Sequence, residues 1–299
     1  MNKYNWKNPA MLLLAAFIWG SAFVAQSVGM DYVEPFTFIF ARNIVGGAVL
    51  IPYIYFFNQK KTPQERCASE QMNRKNLLAG GVSCGVILFI ASAAQQIGIV
   101  YTSVGKAGFI TALYIVIVPV LGLFFKRRCG WKVWLSVGIA LVGFYLLCLV
   151  EGFRLERADF YLLSCAVMFS FHILTIDYFS PMVDGVKMSC IQFFTCGILA
   201  GIAMLLFETP DINCIVAAWM PILYAGVLSS GVAYTLQIVG QKNYNPTVAT
   251  LLLSLESVFS VLTGWVILHQ KLTPRELGGC VLIFAAVILA QLPQRENEI

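Results

Sequence analysis

Apolar runs of about 20 residues, each long enough to cross a hydrocarbon core as a helix, follow one another along the chain with only short polar connections. Ten can be read. The first half carries runs at 9–28, 33–57, 77–100, 104–125 and 131–150, and the second at 159–179, 186–207, 216–240, 246–268 and 274–292. A soluble domain breaks its helices about every 10–14 residues and carries roughly 25% charged side chains. This chain carries 12%. The expected fold class is an all-α membrane protein with ten transmembrane helices.

The net charge of +5 does not point to nucleic acid, because the basic residues sit in the connections, where they set orientation. With the N-terminus inside, the inner segments hold fourteen Lys and Arg and the outer segments five, with Arg42 inside a run. The expected location is therefore the plasma (inner) membrane with both termini cytoplasmic. The 58–76 connection, with five of these cations, reads as a solvated loop, and Trp6, Trp131, Trp134 and Trp219 stand near run ends as interfacial anchors. The first run is about 20 residues long, more than the apolar core of a signal peptide, so it reads as an uncleaved helix rather than a signal peptide. Nine cysteines, mostly within apolar runs and with no CxxC, argue against a disulfide framework or a zinc site. Neither a phosphate loop nor HExxH occurs, so no cofactor is implied and ATP-driven transport by this chain alone is not expected.

The two halves repeat each other. A shift of 142 lays Leu113-Tyr114 on Leu255-Glu256, Ala107 on Ala249 and Gln95 on Gln237; a shift of 150 lays Trp19 on Phe169 and Arg42 on Gln192. The 58–76 loop takes up the difference. Residues 1–153 and 154–299 are thus expected to be two five-helix repeats. Five is odd, so the second copy enters the membrane from the opposite face, the inverted architecture that places a midplane site between halves.

Polar groups inside a span are costly and are the functional candidates. Glu256, mid-run with no acid beside it, opposes insertion by about 2.5–3.5 kcal/mol on scales set mainly by Asp. It is expected to face a wet cavity, pair with a cation or carry a proton; a buried structural hydrogen bond is the competing reading. Arg42 is expected to snorkel to the interface or to bond backbone carbonyls, rather than to face an anion. His172 belongs to a residue type that titrates near neutral pH, although a lone helical His is commonly a satisfied core residue. Gln95, Gln96, Gln192 and Gln237 suit a polar solute or serve as interhelical glue. Tyr114, Tyr234, Trp19 and Phe169 can wall a cavity or simply fill space. Gly81-x-x-x-Gly85 and Gly197-x-x-x-Gly201 read as close helix packing.

Trp19-Gly20-Ser21-Ala22-Phe23-Val24 resembles the opening motif of the EamA family, within the drug/metabolite transporter superfamily. The stretch 35–42 resembles its second helix, and 249–258, centred on Leu255-Glu256, its ninth. The family often has Pro after the ninth-helix Glu, where this chain has Ser257, and an acid just after that helix, where it has Gln270. A kink and a loop-end contact are therefore not carried over. The resemblance implies a central cavity lined by helices one to four and six to nine, with five and ten peripheral, and export of amino acids or similar metabolites.

The expected function is secondary transport, as an exporter, of a small polar or zwitterionic solute by alternating access. Trp19, Gln95, Gln96, Tyr114, His172, Tyr234, Gln237 and Glu256 are the expected substrate-binding residues, with Glu256 meeting an amino group or a coupling proton. Expected partners are the lipid bilayer, a small-molecule substrate, a coupling proton or ion and, as a homodimer, a second copy of the chain, without nucleic acid. An exporter of lipophilic cations fits the same acid and aromatic walls. A membrane-embedded enzyme would want clustered His, Asp or Glu at one interface, and a sensor an appended soluble domain; neither is the expected reading.

Overall fold

The computed structural model describes residues 6–60, 74–101, 104–124, 130–148, 156–267 and 273–291. All regular elements among them are helical: α1 (Lys7–Gly29), α2 (Pro35–Lys60), α3 (Arg74–Tyr101), α4 (Val104–Thr111), α5 (Tyr114–Phe124), α6 (Trp131–Cys148), α7 (Arg157–Phe179), α8 (Gly185–Phe207), α9 (Ile212–Ala217), α10 (Trp219–Leu223), a π-helical stretch (Tyr224–Tyr234), α11 (Thr235–Gln241), α12 (Pro246–Leu253), α13 (Leu255–Ile267) and α14 (Pro274–Gln291). Eight stretches are long and apolar enough to cross a membrane, and two apolar helices, Tyr114–Phe124 and Trp131–Leu146, are shorter. A helix of 23 residues, such as α1, α7 or α8, reaches roughly 34 Å.

Burial is reversed from that of a soluble protein. Gln192 and His172 are fully buried and Arg42 is 4% exposed, whereas Leu205, Leu206 and Phe207 at the end of α8 are at least 70% exposed. An aqueous fold rarely exposes apolar surface on this scale, but a lipid-facing one must. Trp6, Trp131 and Trp219 are exposed near helix ends, and Trp134 is half-buried.

Local chemistry sets the helix boundaries. The Asp184 carboxylate accepts from the Val186 and Lys187 amides at the start of α8. Asn245 accepts from Thr247 and Val248, with Pro246 at the first turn of α12. Thr273 and Glu276 cap α14 reciprocally. The turn between α11 and α12 is closed by Asn243 at φ 57°, a left-handed conformation that asparagine tolerates better than most residues. Helix runs to Lys60 and resumes at Arg74, so the connection expected over 58–76 narrows to 61–73, outside the described residues.

Two expected spans are each broken into two α-helices. The fourth is interrupted at Ala112-Leu113, between α4 and α5, and the ninth at Ser254, between α12 and α13. At both places the ladder tightens to i→i+3 bonds, from Leu113 N to Ile110 O and from Ser257 N to Ser254 O. The ninth helix thus breaks at Ser254 without the family's proline, and Gln270 lies outside the described residues. The eighth span is the second departure. It begins with the separate short helix α9 and runs through Tyr224–Tyr234 as a π-helix, a form that hydrophobic periodicity does not announce.

The contacts run across the halves. α3 lies against α7 and α8, while the π stretch lies against α1 and α2. α4 and α5 pack on α7, and α12 and α13 on α1; α2 meets α8, α5 meets α12, and α6 and α14 have each other as main partner. Glycine makes the approach close. A Cβ at Gly85 would stand 2.5 Å from the Thr195 Cβ and 2.7 Å from the Gln192 carbonyl oxygen. One at Gly226 would stand 2.7 Å from the Val45 Cβ and 2.9 Å from the Arg42 carbonyl oxygen. Gly81, Gly197 and Gly201 likewise meet Ile191, Ile44 and Phe40, so both GxxxG pairs are packing surfaces.

Candidate functional site

The two helix breaks face one cavity. Tyr114 is the first residue of α5 and Glu256 the second of α13, and the Tyr114 hydroxyl donates to Glu256 Oε1 at 3.0 Å. Both side chains are buried, at 4% and 6% exposure. Around them the walls leave about 510 Å³ of space, a figure that includes the mouth. α1 contributes Trp19, Phe23 and Gln26, α2 Arg42, and α3 Gln95. Thr111, Phe169, Ile173, Ser229, Tyr234, Gln237 and Leu253 complete the lining.

The aromatic wall is interlocked. Trp19 and Tyr234 meet edge to face with centroids 4.6 Å apart, and Phe193 supports Tyr234 from behind at 6.0 Å. The Trp19 indole N–H points to the Ser229 carbonyl oxygen in the π stretch, a long contact at 3.4 Å. Gly46 sits where a Cβ would press on Ser230, so α2 backs directly onto the same stretch. π-Helical segments recur at functional sites, and this one carries two lining residues, Ser229 and Tyr234.

Of the expected substrate-binding residues, Trp19, Gln95, Tyr114, Tyr234, Gln237 and Glu256 come together in the lining. Gln96 and His172 do not. Gln96 is fully buried with its amide nitrogen 3.4 Å from the Gln26 carbonyl oxygen, so it braces α1 from behind. His172 Nε2 lies 3.1 Å from Gln192 Oε1, and its ring packs edge-on against Phe169 and Tyr234. Its Nδ1 is buried without a partner. Phe169 is a lining residue, as its aromatic character suggested.

Arg42 departs most from expectation. It neither snorkels nor bonds backbone carbonyls: it lines the cavity, and Nη1 donates to the Gln26 side-chain oxygen at 2.9 Å. Position 42 is seven residues into α2, too far from the helix end for its guanidinium to reach the interface easily. Gln26, Thr111 and Ser229 escaped the sequence reading, because a single neutral polar residue in an apolar run resembles ordinary interhelical hydrogen bonding. Among the described residues no group of three or more His, Cys, Asp or Glu could hold a metal ion.

A family model described as the EamA-like transporter family matches the chain twice, over 7–149 and 156–292. An uncharacterized transporter of Archaeoglobus fulgidus is 28% identical over 282 residues, covering 94% of this chain and 84% of that protein. The uncharacterized transporter YoaV of Bacillus subtilis is 20% identical over 285 residues, covering 93% and 94%. A Synechocystis protein, also an uncharacterized transporter, is 23% identical over 313 residues, covering 98% and 92%. One solved crystal structure superposes with a TM-score of 0.77 over 95% of this chain and 96% of its own, at 16% identity, which is a likeness of fold. With family matches over both halves, apolar helices of membrane-spanning length and a cavity with polar side chains among them, the chain is an integral membrane protein belonging to the EamA-like transporter family.

Proposed function

We propose that the chain exports a small polar or zwitterionic metabolite, such as an amino acid, by alternating access between two inverted five-helix repeats, residues 1–153 and 154–299. The observation that carries this reading is the cavity at the paired helix breaks, lined by the hydrogen-bonded pair Tyr114 and Glu256. Broken helices at corresponding positions of two halves are where transporters of this general type place solute, because freed backbone and tolerated polar side chains meet there. The exchange of contacts supports the repeat: α3 on α7 and α8 answers the π stretch on α1 and α2, and the family model matches once in each half. Outward flux is the direction that the family resemblance implies. In this reading Gln95, Gln237, Tyr114 and Glu256 hold the solute, with Glu256 taking either its ammonium group or a coupling proton. Export of lipophilic cations is the weaker reading, because Arg42 places a fixed positive charge in the same lining.

The test is counterflow in proteoliposomes, run beside thermal-shift screening of the purified protein against amino acids, nucleosides and cationic dyes. Amino acids are expected to stabilise the protein and to exchange. Exchange of nucleosides or dyes with no response to amino acids would overturn the substrate class. Exchange of none of these would remove the support for transport of small metabolites.

A further inference from the structure

We infer that the cavity is a two-charge site, with Arg42 as anchor for a solute carboxylate and Glu256 as seat for its ammonium group. The inference rests on the transport reading above and narrows it to zwitterions. One guanidinium and one carboxyl group line the same cavity, each hydrogen-bonded to a different neutral partner, Gln26 and Tyr114. They are buried, yet no hydrogen bond or ion pair joins them.

Arg42 has the form of a prepared anion fork. Its guanidinium carbon lies 5.8 Å over the Phe38 ring, which fixes one face of the group. Gln26 holds Nη1, and Nε is buried without a hydrogen-bond partner. A guanidinium removed from water with no counter-ion is costly, and the cost is removed when a carboxylate arrives. In the same lining as Glu256, Gln237 Oε1 is a buried acceptor with no partner, suited to an ammonium proton.

The two halves contribute these charges unequally. Arg42 stands 150 positions before Gln192, a neutral residue that is occupied with His172. Glu256 stands 142 positions after Tyr114, which is neutral as well. Each half therefore supplies one charge whose counterpart in the other half is neutral. A zwitterion then has one favoured orientation, and an amine or an acid of the same skeleton leaves one buried charge unmet.

The test uses purified full-length protein and three matched probe sets: the neutral amino acids, their decarboxylated amines and their deaminated acids. Thermal stabilisation and competition in counterflow are read for wild type, Arg42→Gln, Arg42→Lys and Glu256→Gln, with monodispersity and thermal melts checking the fold. Wild type is expected to respond to amino acids and to neither other set. Arg42→Gln is expected to lose amino-acid affinity by at least about tenfold and to gain response to the amines, because the repelling cation is gone while Glu256 remains. Arg42→Lys should restore part of the amino-acid response. Glu256→Gln is expected to shift preference the other way, toward the acids. Damage to the fold cannot produce these reciprocal gains. If Arg42→Gln keeps the wild-type order of preference, or if either variant only loses binding, the two-charge assignment fails while the transport reading stands. If wild type exchanges solutes of another class and none of the three sets, the substrate reading fails with it.

Discussion

The Tyr114 hydroxyl and the Glu256 carboxylate, 142 positions apart, meet at 3.0 Å just past the two breaks in the helices that carry them. The bond satisfies one oxygen of a buried acid with a neutral donor, and among the described residues no cation pairs with that acid.

That arrangement makes Glu256 the group whose protonation is expected to govern the cycle. Glu256→Gln keeps the side chain's size and much of its hydrogen bonding while removing the titration. It is expected to fold and insert, and to lose either transport or the dependence of transport on pH. Tyr114→Phe removes the donor but leaves the acid able to titrate, so transport is expected to slow while remaining pH-dependent. Counterflow across a pH series, normalised to monodisperse protein, separates the two. Wild-type rates with an unchanged profile in Glu256→Gln would show that Glu256 neither couples nor recognises charge.

Gly85 and Gly226 make the same kind of contact in opposite halves, each against the backbone and a β-carbon of a facing helix. The added methyl group of Gly85→Ala or Gly226→Ala has to displace backbone carbonyls at 2.7 and 2.9 Å as well as a β-carbon. Each is expected to destabilise the protein by about 1–3 kcal/mol. Thermal melts in detergent check this, with Gly138→Ala, where a Cβ would have nothing within 4 Å, as the neutral control.

Much of this architecture was legible in the sequence. Uninterrupted apolar length located the helices closely, because a bilayer imposes one thickness on all of them. The pairing of Tyr114 with Glu256 was legible through the repeat. The breaks at Ala112-Leu113 and Ser254 were not, since no proline or glycine sits at either. Nor was the π winding of Tyr224–Tyr234, in which the apolar pattern stays continuous while the hydrogen-bond partner changes. Arg42 was misjudged because a single charge within an apolar run reads as a snorkel or a structural hydrogen bond. Only the packing of α2 against α8 and the π stretch shows that its head turns inward.

Glu208, just past α8, caps α2 from the other half of the chain. Its carboxylate accepts from the Phe36 amide at 2.6 Å, and from the Thr37 amide and hydroxyl at 2.7 Å. It therefore satisfies free donors at a helix N-terminus and complements the helix dipole there. Glu208→Ala is expected to cost about 1–2 kcal/mol, read as a lowered midpoint in thermal melts. Thr37→Val removes only the hydroxyl bond and should cost less. An unchanged midpoint in Glu208→Ala would mean that water caps α2 equally well.

Orientation is the last expectation, and two cysteines report on it directly. The fourteen-to-five bias in Lys and Arg predicts that both termini are cytoplasmic. The connection after α8 then faces the outside, and there Cys214 is exposed, in α9. Cys67 lies in the basic 58–76 connection, which the same bias puts inside. Two variants, each keeping one of these as its sole cysteine, are to be treated in intact cells with a membrane-impermeant maleimide. Cys214 is expected to react, and Cys67 to react only after the membrane is opened. Each variant replaces eight cysteines, among them the buried Cys84, Cys165, Cys196 and Cys280, so retained counterflow is required to show that the labelled protein is native. Reaction of Cys67 in intact cells, with Cys214 protected, would reverse the orientation while leaving the helical packing and the cavity as described. Reaction of both from the same side would contradict the alternation of spans itself, because an odd number of crossings separates the two connections in the ten-helix arrangement.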